Sequence, residues 1–191
     1  MEYIREEDVY LQEKGWGRMA YDFISEPTVE LRTEQPYVAI PIQVTLKDWA
    51  QTTILLPEIY DWLNKKGIEP VGEPFYRYWC IGSDDTDFSL EVGVPVERMV
   101  TGDERIISSF VPGGSYAIAV HHGHPDQLET SLKQLEEWTK KEELDIDKRW
   151  EADDEIWNGR FEYYLTDPEL EPDLHKWQIE IAFLLMQDDA A

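Results

Sequence analysis

Apolar and polar side chains alternate along two stretches of the chain. In Asp87–Val96 the apolar positions are Phe88, Leu90, Val92, Val94 and Val96; in Lys176–Leu185 they are Trp177, Ile179, Ile181, Phe183 and Leu185. A repeat of two predicts a strand with one buried face. The opposite face of each stretch carries one carboxylate, Glu91 or Glu180, and two positions on comes a small residue, Gly93 or Ala182. On these residues alone, such a carboxylate is either solvated surface or the floor of a groove.

The same pattern predicts further strands over Val29–Arg32, Tyr37–Val44, Pro74–Ile81, Arg105–Val111, Tyr116–His122 and Phe161–Leu165. Two stretches change to helical spacing. Leu56, Ile59, Tyr60 and Leu63 share one face, with Pro57 in the first turn and Gly67 as the stop. Leu128, Leu132, Leu135 and Trp138 form the second stripe, on a helix that Pro125 opens and that runs to about Lys141. Ser83–Thr86 reads as a polar turn, Asp145–Asn158 as charged and irregular, and Thr166–Asp173 as a Pro-rich connection. Each half is then strand, strand, helix, strand, strand. Tyr37 answers Tyr116, Tyr78 answers Tyr164, and Glu91 answers Glu180. Two such units fused edge to edge give an antiparallel sheet with helices on one face, the other left concave by twist. The expected division is an N-terminal extension over 1–26, one domain over 27–187 built of repeats 27–100 and 101–187, and a tail over 188–191.

With 191 residues the chain suffices for one sizeable core or two small fused halves. Its 41 acidic against 17 basic residues give a net charge of −24, a field that repels phosphate backbones and attracts cations. No direct nucleic-acid binding is expected, and acidic surface for solubility is the plain alternative account of that charge. Cys80 is the single cysteine, so no intramolecular disulfide can form; Trp79 and Ile81 beside it favour an inert buried thiol. No apolar run approaches the roughly 18 residues of a membrane span, and no secretory segment opens the chain, so a reducing cytoplasm is expected. His121 and His122 point to opposite faces of one strand, so at most one of them joins His124. A metal centre would need a third ligand from elsewhere. Neither metal nor cofactor is expected, and no nucleophilic triad is supported.

Five pieces in order carry a resemblance to a known family: Asp87-Phe88 through Glu91-Val92-Gly93-Val94-Pro95-Val96; Pro112-Gly113-Gly114-Ser115-Tyr116-Ala117-Ile118; His121-His122-Gly123; Tyr164-Leu165-Thr166-Asp167-Pro168; and Trp177-Gln178-Ile179-Glu180-Ile181. Over about Val29 to Met186 the chain resembles GyrI-like effector-binding domains, ligand-sensing modules that also occur behind the DNA-binding domains of multidrug regulators. The resemblance implies an α+β fold of two pseudo-symmetric βαββ-type repeats with helices on one face and a central ligand cleft on the other. It makes Glu180 the carboxylate at the bottom of the cleft, with Tyr78 and Tyr164 as rings that face the ligand. Glu91, its pseudo-symmetric partner, is expected to be structural or to line the rim; Trp79, Trp150, Trp157 and Trp177 are candidate walls, with core packing the alternative for every ring. No DNA-binding motif accompanies these pieces, and the 1–26 and 145–158 stretches stand outside the family's minimal pattern.

The expected activity is binding of bulky hydrophobic, aromatic or cationic small molecules, for drug or toxin sensing or sequestration, by a monomer or homodimer with no membrane partner. The alternative is a hydrolase that opens cyclopropane-bearing DNA-alkylating natural products, with Glu180 as general acid or base and Tyr164 beside it. A weaker third class is an acidic inhibitor or interaction module.

Overall fold

The alternating stretches are strands in a computed structural model that describes residues 23–82 and 87–187. In chain order they are β1 (Thr28–Arg32), β2 (Gln35–Thr45), β3 (Phe75–Ile81), β4 (Asp87–Pro95), β5 (Ile107–Val111), β6 (Gly114–His122), β7 (Lys148–Glu151), β8 (Asp154–Tyr164) and β9 (Gln178–Leu184). A short turn of helix, α1 (Ala50–Thr53), precedes α2 (Leu55–Lys66), and α3 (Leu128–Lys141) follows β6. The strands form one antiparallel sheet in the order β1-β6-β9-β8-β3-β4-β2-β5, with β7 hydrogen-bonded to β8. The polar run 83–86, residues 1–22 of the N-terminal extension and the tail over 188–191 lie outside the described residues.

Register makes the two halves equivalent. Glu91 stands between Arg77 of β3 and Pro41 of β2. Glu180 stands between Tyr163 of β8 and Val120 of β6. Arg77 therefore corresponds to Tyr163, Tyr78 to Tyr164, and Tyr37 to Tyr116. The central strands β3 and β8 pair with each other, and there Tyr76 faces its own counterpart, Glu162. The pseudo-two-fold axis passes between those two residues.

The first strand of each half does not pair with its own second strand. β1 pairs with β6, and β5 with β2. The Thr33-Glu34 link carries the chain across instead of folding it back, and Gly113 of the matching link lies 3.1 Å from the Glu34 amide where a Cβ would sit. Each half thus completes the sheet edge of the other.

Three apolar clusters fill the two faces. On the helix side, Leu55, Ile59 and Leu63 of α2 pack on Val38, Ile40, Leu90, Val92 and Val94, while Leu135 of α3 packs on Ala117, Ala119, Ile181 and Phe183. On the other side Tyr37, Ala39, Phe75, Tyr116, Ile118, Phe161 and Ala182 form one core. Tyr37 and Tyr116 come from strands near opposite ends of the sheet order. They share a core only because the sheet curls toward that face into a half-barrel, in keeping with strand twist. Close packing reaches the backbone: a Cβ on Gly93 would lie 2.6 Å from the Phe75 ring, so the small residue beside Glu91 makes room for a ring.

Helix ends follow from local chemistry. Pro57 sits in the first turn of α2, where its missing N–H costs nothing. Gly67 ends α2 at φ +65°, its N–H reaching the Asn64 carbonyl, with Ile68 N–H to Leu63 O at 3.0 Å. No helix among the described residues is long and apolar enough to cross a membrane. The stretch read as irregular, 145–158, is a hairpin: Lys148–Glu151 pairs with Asp154–Trp157 around a turn with Ala152 at φ +55°. Its exposed positions mix the charged Arg149, Glu151 and Asp153 with Trp150, which stands uncovered, so no apolar alternation marks it.

A polar aromatic groove between the two helices

Cross-strand rows define the helix-side face from the sequence upward. One row runs Leu90, Tyr78, Arg160, Phe183; the next runs Val92, Tyr76, Glu162, Ile181; Tyr164 and Ile179 follow. The outer members are aliphatic and lie under the helices, since α2 packs on β2 and β4, and α3 on β6. The inner members, on β3 and β8, are tyrosine, arginine and glutamate. A strip of polar and aromatic side chains therefore floors the space between the two helices.

Glu162 is the centre of that strip. It is only 2% exposed and accepts a hydrogen bond from the Tyr78 hydroxyl at 2.9 Å. The Arg160 guanidinium lies 3.6 Å from its other oxygen. Burial raises the Glu162 carboxyl above its ordinary range, and Arg160 and Tyr78 offset this only in part. Burial and the nearby Glu162 charge likewise push the Tyr78 and Tyr164 phenols well above theirs, so both remain neutral donors. The Tyr76 and Tyr164 rings touch at 5.1 Å between centroids. Trp49, in the link before α1, leans over the other end, 5.9 Å from Tyr76 and stacked on Tyr78 at 6.5 Å. The Tyr76 hydroxyl bonds Thr52 Oγ1 at 3.1 Å, which ties α1 to the floor.

The residues selected from the sequence divide between the two faces. Tyr78, Tyr164 and Trp157 are on the helix side, with Trp157 fully buried against Phe183. Glu180, Glu91 and Trp79 are on the curled face. Glu91 is buried and accepts from the Tyr37 hydroxyl at 2.5 Å, which in turn accepts from Arg77 at 2.8 Å. Trp79 stacks on the Arg77 guanidinium at 3.7 Å. Glu180 takes a 2.8 Å salt bridge from Arg32, whose guanidinium lies over the Tyr116 and Tyr163 rings. Burial works against the charged form of Arg32, and Glu180 outweighs it and raises the guanidinium. Neighbouring positions on a strand face opposite ways, so Glu180 meets Tyr163 and not Tyr164. Glu162, Arg160 and Tyr76 were not among the residues singled out. The available signal was the duplication itself, which sets Glu162 opposite Tyr76 on the symmetry axis.

His121 is a core residue: its Nε2–H donates to the His124 carbonyl, and Nδ1 accepts from Ser131 Oγ at 2.8 Å. His122 faces outward, and among the described residues no three His, Cys, Asp or Glu side chains converge as metal ligands. Trp177, placed by pattern on the buried stripe of a strand, precedes β9 and is half-buried, with its indole N–H on the Glu171 carbonyl.

A curled antiparallel sheet with two helices astride a buried carboxylate defines a class of duplicated ligand-binding folds. The chain belongs to the GyrI-like small molecule binding domain family, whose model matches residues 25–185. Among solved structures it resembles EcmrR in complex with DNA, with a TM-score of 0.72 and 18% identity over 95% of this chain. It spans only 63% of that EcmrR chain. The EcmrR C-terminal domain alone gives a TM-score of 0.68 at 15% identity, with 85% of this chain and 98% of that one covered. A hydrolase from Listeria innocua gives 0.60 at 14% identity, covering 92% and 97%. SAV2435 bound to tetraphenylphosphonium gives 0.50 at 10% identity, covering 86% and 98%. No curated protein matches the chain in sequence.

Proposed function

We propose that the groove around Glu162 binds a bulky, ring-bearing small molecule, with Tyr76, Tyr164 and Trp49 against its apolar surface and Glu162 at its polar group. The observation that carries this reading is the buried carboxylate on the pseudo-two-fold axis, bordered by tyrosines. A carboxylate held out of water is expensive unless it is used, and perturbed acids cluster at functional sites. The family match and the tetraphenylphosphonium complex of SAV2435 support an aromatic or cationic occupant. Glu180 is the less suitable carboxylate, because Arg32 engages it directly at 2.8 Å, whereas Arg160 stands 3.6 Å from Glu162. Sensing or sequestration of a drug or toxin is the corresponding role.

Titration with a panel of aromatic small molecules, followed by tryptophan fluorescence, tests the reading through Trp49. Rings in contact contribute about 0.5–1.5 kcal/mol each, so Tyr76→Ala and Tyr164→Ala should each weaken binding by roughly 2- to 10-fold. Affinities unchanged in both variants and in Glu162→Gln would place the ligand elsewhere.

One observation favours a second reading, hydrolysis. A carboxyl raised by burial, next to neutral phenols, is the kind of group that transfers a proton to or from a reacting centre. The fold likeness to a Listeria innocua hydrolase supports it. Opening of a cyclopropane-bearing alkylator would then depend on Glu162, with Tyr164 beside it. Turnover should be lost in Glu162→Gln and kept in Glu180→Gln; the reverse pattern would return the role to Glu180.

A further inference from the structure

The carboxylate in the groove has a cation beside it already. Arg160 and Glu162 lie two residues apart on β8, on the same face, so both belong to the floor between the helices. Arg160 is 8% exposed, and its guanidinium carbon lies 4.7 Å from the Tyr78 ring and 5.2 Å from the Trp157 ring. The rings hold the planar group in place. Its Nη2 lies 3.6 Å from Glu162, but its Nε–H is buried with no acceptor. Nearly all buried donors are satisfied in folded proteins, and one that is not marks a place where an acceptor is missing.

Two consequences follow for the occupant. The formal charges on the floor cancel, because the tyrosines stay neutral and Glu162 has Arg160 as its counter-ion. An entering permanent cation is drawn to Glu162 and repelled by Arg160 at comparable range, so it gains little. A neutral group with an exposed oxygen can instead accept from the part of the Arg160 guanidinium that stays exposed, a charge-assisted bond that a cation without an acceptor cannot form. The second cation nearby, Lys148, lies on the Trp157 ring at 4.4 Å and is held by two carboxylates, Glu136 and Glu155, so it adds no positive charge to the floor. We propose that the groove selects an uncharged, ring-bearing ligand with a strong hydrogen-bond acceptor, of the phosphine oxide, lactam or carboxamide type, over a permanent organic cation. The proposal rests on the groove being the ligand site and specifies which ligands it takes.

Triphenylphosphine oxide and tetraphenylphosphonium carry similar rings and differ in charge and in the oxygen. Each is titrated into the full chain at about 0.15 M salt, so that the general acidic field is screened, with calorimetry and tryptophan fluorescence as readouts. On the unaltered protein the oxide should bind at least about tenfold more tightly than the phosphonium. Arg160→Met leaves Glu162 without its counter-ion and should narrow or reverse that order. If this variant does not fold, the order on the unaltered protein decides. Equal or tighter binding of the phosphonium overturns the proposal, as does an order that Arg160→Met leaves intact. A tighter phosphonium that is lost in Glu162→Gln overturns the selectivity and keeps the groove as the site. Binding of neither molecule overturns both.

Discussion

Two buried titratable residues pull the stability of this protein in opposite directions with pH. Glu162 has a folded value raised above its ordinary 4.5, because burial disfavours the charge more than Arg160 and Tyr78 favour it. Between 4.5 and that raised value the folded protein holds a proton that the unfolded chain has released, so stability falls as pH rises through the interval. Glu162→Gln has no such proton, and a series of denaturant midpoints against pH should lose this component of slope. His121 acts from the other side. Burial lowers its value from 6.5, so the unfolded chain takes up a proton first and stability is lost as pH falls below 6.5. His121→Gln should flatten that acid limb; an unchanged limb would assign it to another group. At Gly93 the constraint is steric: Gly93→Ala drives a methyl into the Phe75 ring, and thermal melts should show a loss of about 1–3 kcal/mol.

At the scale of elements, α2 and α3 anchor the two flanks of the groove and do different work from the strands between them. Leu135 is the fully buried apolar residue of α3 and packs with Ile181 and Phe183. Leu135→Ala should therefore cost about 2–5 kcal/mol in chemical denaturation. The end of α2 depends on a left-handed residue, and Gly67→Ala should cost about 1 kcal/mol there. Both helices were legible from the spacing of Leu56, Ile59, Tyr60 and Leu63, and of Leu128, Leu132, Leu135 and Trp138, because each buries one continuous stripe. The hairpin of β7 and the start of β8 was not legible. Hydrogen bonds with the neighbouring strand hold it, and backbone hydrogen bonds leave no trace in side-chain hydropathy.

For the whole molecule, the exchange of first strands between halves sets the folding unit. β1 belongs in sequence to the first half and in space to the second, and β5 the reverse. Fragments cut near residue 102 should fail to fold separately and should regain β-sheet circular dichroism when mixed; a fragment that folds alone would show that the crossing strands are dispensable.

Alternation along Asp87–Pro95 and Gln178–Leu184 was enough to identify which side chains of each strand lie together and that Glu91 and Glu180 share the opposite side, because a strand's own geometry dictates that. The single buried face it predicted is corrected by the fold, which buries the opposite side too, with Glu91 and Ala182 both covered. It also exposed the pairing of Tyr37 with Tyr116 and of Tyr78 with Tyr164. Which carboxylate lies between the helices was beyond its reach. That depends on how β3 meets β8 across the symmetry axis, on Arg32 reaching Glu180 from a strand 148 positions away, and on the curl that fills the other face with rings. These are contacts between distant parts of the chain, and only the folded sheet brings Glu162, Arg160 and Tyr76 to one floor.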